Sequence, residues 1–193
     1  AKDRPDDYAT FWRSFGVVLK EGLHFEPEIA ARLKKLVRFE STTRDGLVSL
    51  ESAKAAMKEG QPALYYALGQ SRKQIESSPH LEGLRARGYE VLLMTDPVDH
   101  WAVAALGEVD GTKLVSATSG DIELGGETKD AAAKEEIDAK VKSLRDRIRT
   151  RLQETVSEVR VSERLTGSPA CLVVPEGGIS PERMLISVDL PAP

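Results

Sequence analysis

Asp96 and Asp99 stand three residues apart at the start of an expected helix and are the nearest approach to a carboxylate pair in the chain. Two carboxylates sharing one site could divide general acid and base work between them. The spacing also has a plainer use. Asp96 directly precedes Pro97, which suits an N-cap followed by the first helical residue, and Asp99 adds favourable negative charge to the first turn. His24, His80 and His100 fall on different expected elements without metal-ligand spacing, so no zinc or iron site is expected. The single cysteine, Cys171, falls in an expected buried strand as a small apolar residue, with nothing nearby to lower its pKa. Neither G-x-G-x-x-G nor G-x-x-x-x-G-K-[ST] occurs, and there is no G-x-S-x-G elbow. No catalytic, metal-ligating or cofactor-binding residue is expected.

Trp101 stands out instead. It follows a strand-like run, residues 89–94, and lies on the first turn of a short helix expected over residues 98–106. At ~100° per residue, Val98, Ala102 and Ala105 define the buried face, and Trp101 lies about 60° from Val98, at its margin. His100 points away from the core. A marginal tryptophan can cover a sheet edge as part of the core, or stand exposed as an apolar anchor for a partner. Spacing alone leaves both open.

The elements that would position this helix follow from periodicity and punctuation. Residues 1–7 read as a loose tail. Tyr8, Phe11, Phe15, Val18 and Leu19 recur at helical spacing, and Gly22 closes that helix. A second helix starts near Pro27 with the stripe Ile29, Leu33 and Leu36, and residues 42–46 form a turn-rich break. Ser49 caps a helix through Met57 and Lys58, and Ser71 caps another. Pro79 restarts helix, which Gly88 ends. Residues 63–68, 90–94 and 113–118 are apolar strands, and strands joined through helices predict a mainly parallel sheet covered on both faces. A long helix over residues 129–153 carries the stripe Ile137, Val141, Leu144, Ile148 and Leu152. Two strands, residues 156–161 and 170–174, and a helix start at Ser180-Pro181-Glu182 complete the pattern. The fold class is α/β: a helical coil, a small αβα sandwich, then a partial α+β domain too small to close a core alone.

With 193 residues, 40% hydrophobic and 30% charged, the chain describes a soluble globular protein. A formal net charge of −4 argues against a nucleic-acid partner. No apolar run approaches the ~20 residues of a membrane span, no leader is evident, and a cytoplasmic location is expected.

Several ordered blocks resemble one family. They include Phe11-Trp12-Arg13-Ser14-Phe15-Gly16, Tyr65-Tyr66-Ala67-Leu68-Gly69, Glu90-Val91-Leu92-Leu93-Met94-Thr95-Asp96-Pro97-Val98-Asp99 and Val159-Arg160-Val161-Ser162-Glu163-Arg164-Leu165, followed by Ser168-Pro169-Ala170. Together they are similar to the ninety-kilodalton heat-shock chaperones, with a form closest to the bacterial members. The resemblance implies three pieces. Residues 1–38 would be the helical coil of the middle domain, 39–123 its small αβα subdomain, and 125–193 the opening part of the C-terminal domain. The tail over residues 186–193 departs from the family pattern.

By the same resemblance, ATP and magnesium belong to an N-terminal ATPase domain outside this chain, and the piece alone is no enzyme. Its partners would be unfolded or partly folded client proteins, with co-chaperones and a homodimeric parent, and neither nucleic acid nor membrane. In bacterial members the residue matching Trp101 belongs to a client-contact surface, so the resemblance places Trp101 at the surface. His100 occupies the position of the usual acidic residue of that surface, and Ala104 that of an asparagine. The competing readings are a structural spacer, with Trp101 in the core, and a small α/β enzyme with an unrecognised site.

Overall fold

The computed structural model describes residues 4–120, 122, 124–125, 131–162 and 164–173. Helix α1 (Pro5–Phe25) opens with Pro5 in its first turn and with Asp6 and Asp7 beside the helix N-terminus, so residues 5–7 are helical rather than a loose tail. It also runs past Gly22, whose missing side chain admits Leu33: a Cβ there would lie 2.8 Å from Leu33 Cδ1. The helical spacing is as expected, but the buried face is not. Trp12, Gly16, Lys20 and Leu23 face inward, while Phe11, Phe15 and Val18 are exposed. Gly16 is what lets Trp12 lie along the helix, since a Cβ at Gly16 would meet the indole at 2.7 Å.

The second helix of the coil is a single turn, α2 (Ala30–Leu33), and of its expected stripe only Leu33 is buried. The chain then enters β1 (Arg38–Ser41) and β2 (Val48–Ser49), followed by α3 (Leu50–Ala55), β3 (Leu64–Leu68) and α4 (Arg72–Glu76). A 3-10 turn at Pro79–Leu81 leads into α5 (Glu82–Ala86), then β4 (Val91–Met94), α6 (Asp99–Leu106), β5 (Glu108–Val109), β6 (Thr112–Ser116) and α7 (Ala131–Leu152). Ser49 and Ser71 cap α3 and α4 as expected, accepting from the N–H groups of Ser52 and Gln74.

The six strands form one sheet in the order β2-β1-β4-β3-β6-β5. Its centre, β4-β3-β6, is parallel, while β1 runs antiparallel to β4 and the short β2 and β5 close the edges antiparallel. Successive residues alternate between two cores. Leu64, Leu92 and Met94 join Trp12, Leu23, Leu33, Leu50 and the inner side of α6 on one face. Tyr65, Ala67, Val91 and Leu93 join Ile75, Leu81 and Leu84 on the other. That period of two, buried on both sides, is why these strands are continuous apolar runs. The chain is therefore α/β, with a sheet between helical layers.

Beyond the sheet, α7 matches the expected long helix, but Leu144, Ile148 and Leu152 of its stripe are exposed and Val141 is half-buried. The side chain of Ile137, the helix start at Ser180 and the tail lie outside the described residues. The two strands expected after α7 do not form among the described residues 156–162 and 170–173, and Cys171 is half-buried in irregular chain. A strand requires a neighbour for its backbone groups. Between the two stretches, the N–H groups of Thr166, Gly167 and Ser168 go to the carboxylate of Glu82.

Candidate functional site

Helix α6 rises from the end of β4, whose four residues are all buried. Val98, Asp99, Ala102, Val103 and Leu106 turn inward, with Asp99, Ala102 and Leu106 fully enclosed. The buried face is thus shifted from the expected one: Val103 and Leu106 share it, and Ala105 is only half-buried. Trp101 sits opposite, 49% exposed, next to exposed Ala104 and half-buried His100. Trp101 and Ala104 lie on the outward side of α6, His100 lies at its margin with Nδ1 enclosed, and the core placement of Trp101 is excluded.

Asp96 is not the expected cap. Val98 holds the N-cap position of α6 and no side chain caps that end. The carboxylates of Asp96 and Asp99 converge on Lys20, a residue of α1 that is only 3% exposed. Its Nζ donates to Asp96 Oδ2 at 2.7 Å and to Asp99 Oδ2 at 3.1 Å, with Asp99 Oδ1 at 2.8 Å in ionic contact. Asp99 Oδ2 also accepts from the Asp96 N–H at 3.0 Å. Burial pushes the Asp99 carboxyl above its usual range, and the Lys20 ammonium opposes that shift. The same ammonium lies 4.8 Å over the Phe39 ring and 5.9 Å from the Trp12 ring. At the other end of α6, after which Gly107 takes a positive φ, Lys34 Nζ donates to the Leu106 carbonyl at 2.9 Å.

A second constellation, unassigned by sequence reasoning, joins the chain after α7 to the sheet. Arg164, 5% exposed, donates through Nη1 to the Ala117 carbonyl at 3.0 Å and through Nη2 to that of Ser119. Its backbone rests on Gly83, where a Cβ would lie 2.8 Å from Arg164 Cα. The Glu82 carboxylate accepts from the N–H groups of Thr166 at 2.6 Å, Gly167 at 2.8 Å and Ser168 at 3.1 Å, and from the Ser168 hydroxyl. These bonds, the Ser168 hydroxyl foremost, hold the Glu82 carboxyl down to about 2. No local pattern marks Glu82 or Arg164, because the partners described here lie 45 to 86 residues away in sequence.

Among the described residues no group of three or more His, Cys, Asp or Glu could hold a metal ion. A cavity of about 400 Å³ near the start of α1 is lined by Asp6, Tyr8, Arg13, Arg38 and Leu47 among others, and holds no nucleophile–base pair. No described helix is long and apolar enough to cross a membrane.

The Hsp90 protein family model matches residues 1–188, nearly the whole chain. The chain belongs to the Hsp90 family. A chaperone protein HtpG of Myxococcus xanthus is 53% identical over 178 residues, covering 92% of this chain and 27% of that protein. The HtpG of Halorhodospira halophila is 46% identical over 192 residues, covering 96% of this chain and 30% of its own length. The chain thus spans under a third of these bacterial relatives. Among solved structures, the middle domain of a heat shock protein of Plasmodium falciparum aligns with TM-score 0.56 and 30% identity, over 60% of this chain and 49% of that one. The Hsp90 assignment agrees with the sandwich described above and gives α6 a family context.

Proposed function

We propose that this chain is a client-contact and domain-coupling segment of an ATP-driven molecular chaperone of the HtpG type. Residues 1–38 act as a helical coil, 39–123 as the small αβα subdomain and 125–193 as the opening part of a C-terminal domain. The observation that carries the client reading is Trp101, half-exposed on the side of α6 opposite its buried face. An indole held this way offers apolar area to many partner side chains without demanding one sequence. About half of a tryptophan surface of ~250 Å², covered at ~25 cal/mol/Å², is worth up to ~3 kcal/mol. Ala104 beside it leaves room for a partner side chain, and His100 replaces a fixed negative charge with a titratable group.

The coupling part rests on Arg164 and Glu82, which tie the chain after α7 to the sheet by buried and charge-assisted hydrogen bonds. The exposed stripe of Leu144, Ile148 and Leu152 suits a helix completed by further C-terminal sequence. ATP and magnesium act in the parent protein through an N-terminal domain outside this chain. Its partners are unfolded or partly folded proteins, with co-chaperones, in a cytoplasmic homodimer.

The test is binding of a labelled, permanently unfolded client to the 193-residue chain and to its Trp101→Arg variant, with circular dichroism confirming both are folded. Weak binding lost in the variant supports the client surface. Equal binding by both, or none by either, removes it and leaves a structural spacer.

A further inference from the structure

We propose that Lys20 and Lys34 are positioning residues for the α6 surface, through which the helical coil sets the direction in which Trp101 is presented. The proposal rests on the client reading above for its purpose, but not for its geometry. Helix α6 has no side-chain cap at its start and ends where Gly107 takes a positive φ. Its two ends carry the partial charges of the helix dipole, positive at the start and negative at the end. Each end is tied to the coil by an ammonium, through carboxylates at the start and directly at the last carbonyl. Lys20 of α1 donates to Asp96, just before the helix, and to Asp99 in its first turn, and Lys34, just after α2, donates to the last carbonyl, that of Leu106.

Apolar packing of Ala102, Val103 and Leu106 attaches α6 to the core, but such burial is non-directional and tolerates small rotations. Directed bonds at both ends do not. A tilt that swings the indole must lengthen the Lys20 contacts, the Lys34 contact, or both. The Lys20 contacts are costly to lose, since Lys20 and Asp99 are both buried and each would be left without its charged partner. Conversely, a displacement of α1 or α2 is delivered to α6 through these charges rather than absorbed by sliding. The partners are 72 to 79 residues apart in sequence, so nothing in the local chain duplicates their role.

The experiment uses the 193-residue chain with Trp12→Phe, which leaves Trp101 as the sole tryptophan. Acrylamide quenching then reports the accessibility of the indole, and anisotropy of a labelled unfolded client reports affinity. The variants are Lys34→Met, the pair Lys20→Met with Asp99→Asn, which removes both buried charges together, and all three combined. Circular dichroism confirms the fold of each. We expect the quenching constant to change in both sets and client affinity to fall roughly threefold to tenfold, a common size for side chains that touch neither partner. A purely structural role would alter the denaturation midpoint and leave quenching unmoved. The proposal is overturned if the folded combined variant keeps the quenching constant and the affinity of its parent. Should the Lys20 pair fail to fold, Lys34→Met alone decides by the same two readouts. If Trp101→Arg binds client as well as the parent does, the client reading fails, and quenching still decides the role of the lysines.

Discussion

Replacing Gly83 by alanine should change the sign of its effect according to whether the segment around Arg164 is seated. Gly83 lies in α5, where alanine favours the helix by ~1 kcal/mol over glycine. In the intact chain the new Cβ would stand 2.8 Å from both Cα and the carbonyl oxygen of Arg164, and 3.1 Å from Leu124 Cδ1. The leucine can turn aside, but the Arg164 backbone cannot move without straining the bonds of its guanidinium to Ala117 and Ser119. Overpacking of this kind costs about 1–3 kcal/mol. Subtracting the helix gain leaves a net loss of about 0–2 kcal/mol in the intact chain. In an Arg164→Ala background the segment is held less firmly and can lift off. The same substitution should then be neutral or stabilising by up to ~1 kcal/mol. Urea denaturation of the four proteins closes a double-mutant cycle with a coupling of up to about 3 kcal/mol. Tryptic cleavage after Arg164, whose side chain is buried when seated, should also accelerate in Gly83→Ala. Equal stabilisation by Gly83→Ala in both backgrounds, with unchanged cleavage, would refute the seating of Arg164 on α5.

Three further outcomes follow from the same contacts. Because the Glu82 carboxyl is held down to about 2, its contribution is complete above the ordinary glutamate range near 4.5 and is lost as pH falls toward 2. Amide exchange at Gly167, corrected for its intrinsic pH dependence, should rise across that window, and Glu82→Gln should abolish the pH dependence. Asp99→Ala leaves the Lys20 ammonium buried beside a single, partly exposed carboxylate and should cost about 3–5 kcal/mol in urea unfolding. Gly111→Ala meets no atom within 4 Å but occupies a φ of +79°, so its cost of about 1 kcal/mol should be conformational alone and leave the overall circular dichroism intact.

Much of the fold is legible locally. The apolar runs at β3 and β4 announce strands buried on both faces, and Ser49 and Ser71 mark helix starts because the capping bond spans only three residues. The β5–β6 hairpin was not expected, although Asp110-Gly111 forms its two-residue turn with both φ angles positive. Periodicity told that residues 8–22 are helical, but neither that the helix extends over 5–25 nor which stripe faces inward. Two apolar stripes compete on α1, and the one with Trp12, Gly16 and Leu23 wins because Gly16 makes room for the indole and Leu23 joins the core of the sheet. The expected strands after α7 are absent from the described residues for a related reason: pairing depends on a neighbour that local sequence does not name.

The candidate site divides the same way. Sequence by itself determined that a short helix follows β4, that it carries Trp101, His100 and Ala104, and, through ordered blocks, the family to which the chain belongs. Spacing left Trp101 between core and surface, and only the tertiary structure decided that it and Ala104 are exposed while His100 is half-buried. It alone brought Lys20 to Asp96 and Asp99, Lys34 to Leu106, and Glu82 to residues 166–168, across 72 to 86 positions of chain. Short-range bonds are set by spacing, which sequence contains. A buried charge pair is set by whichever opposite charge the packed core leaves within reach, and that is a property of the whole fold.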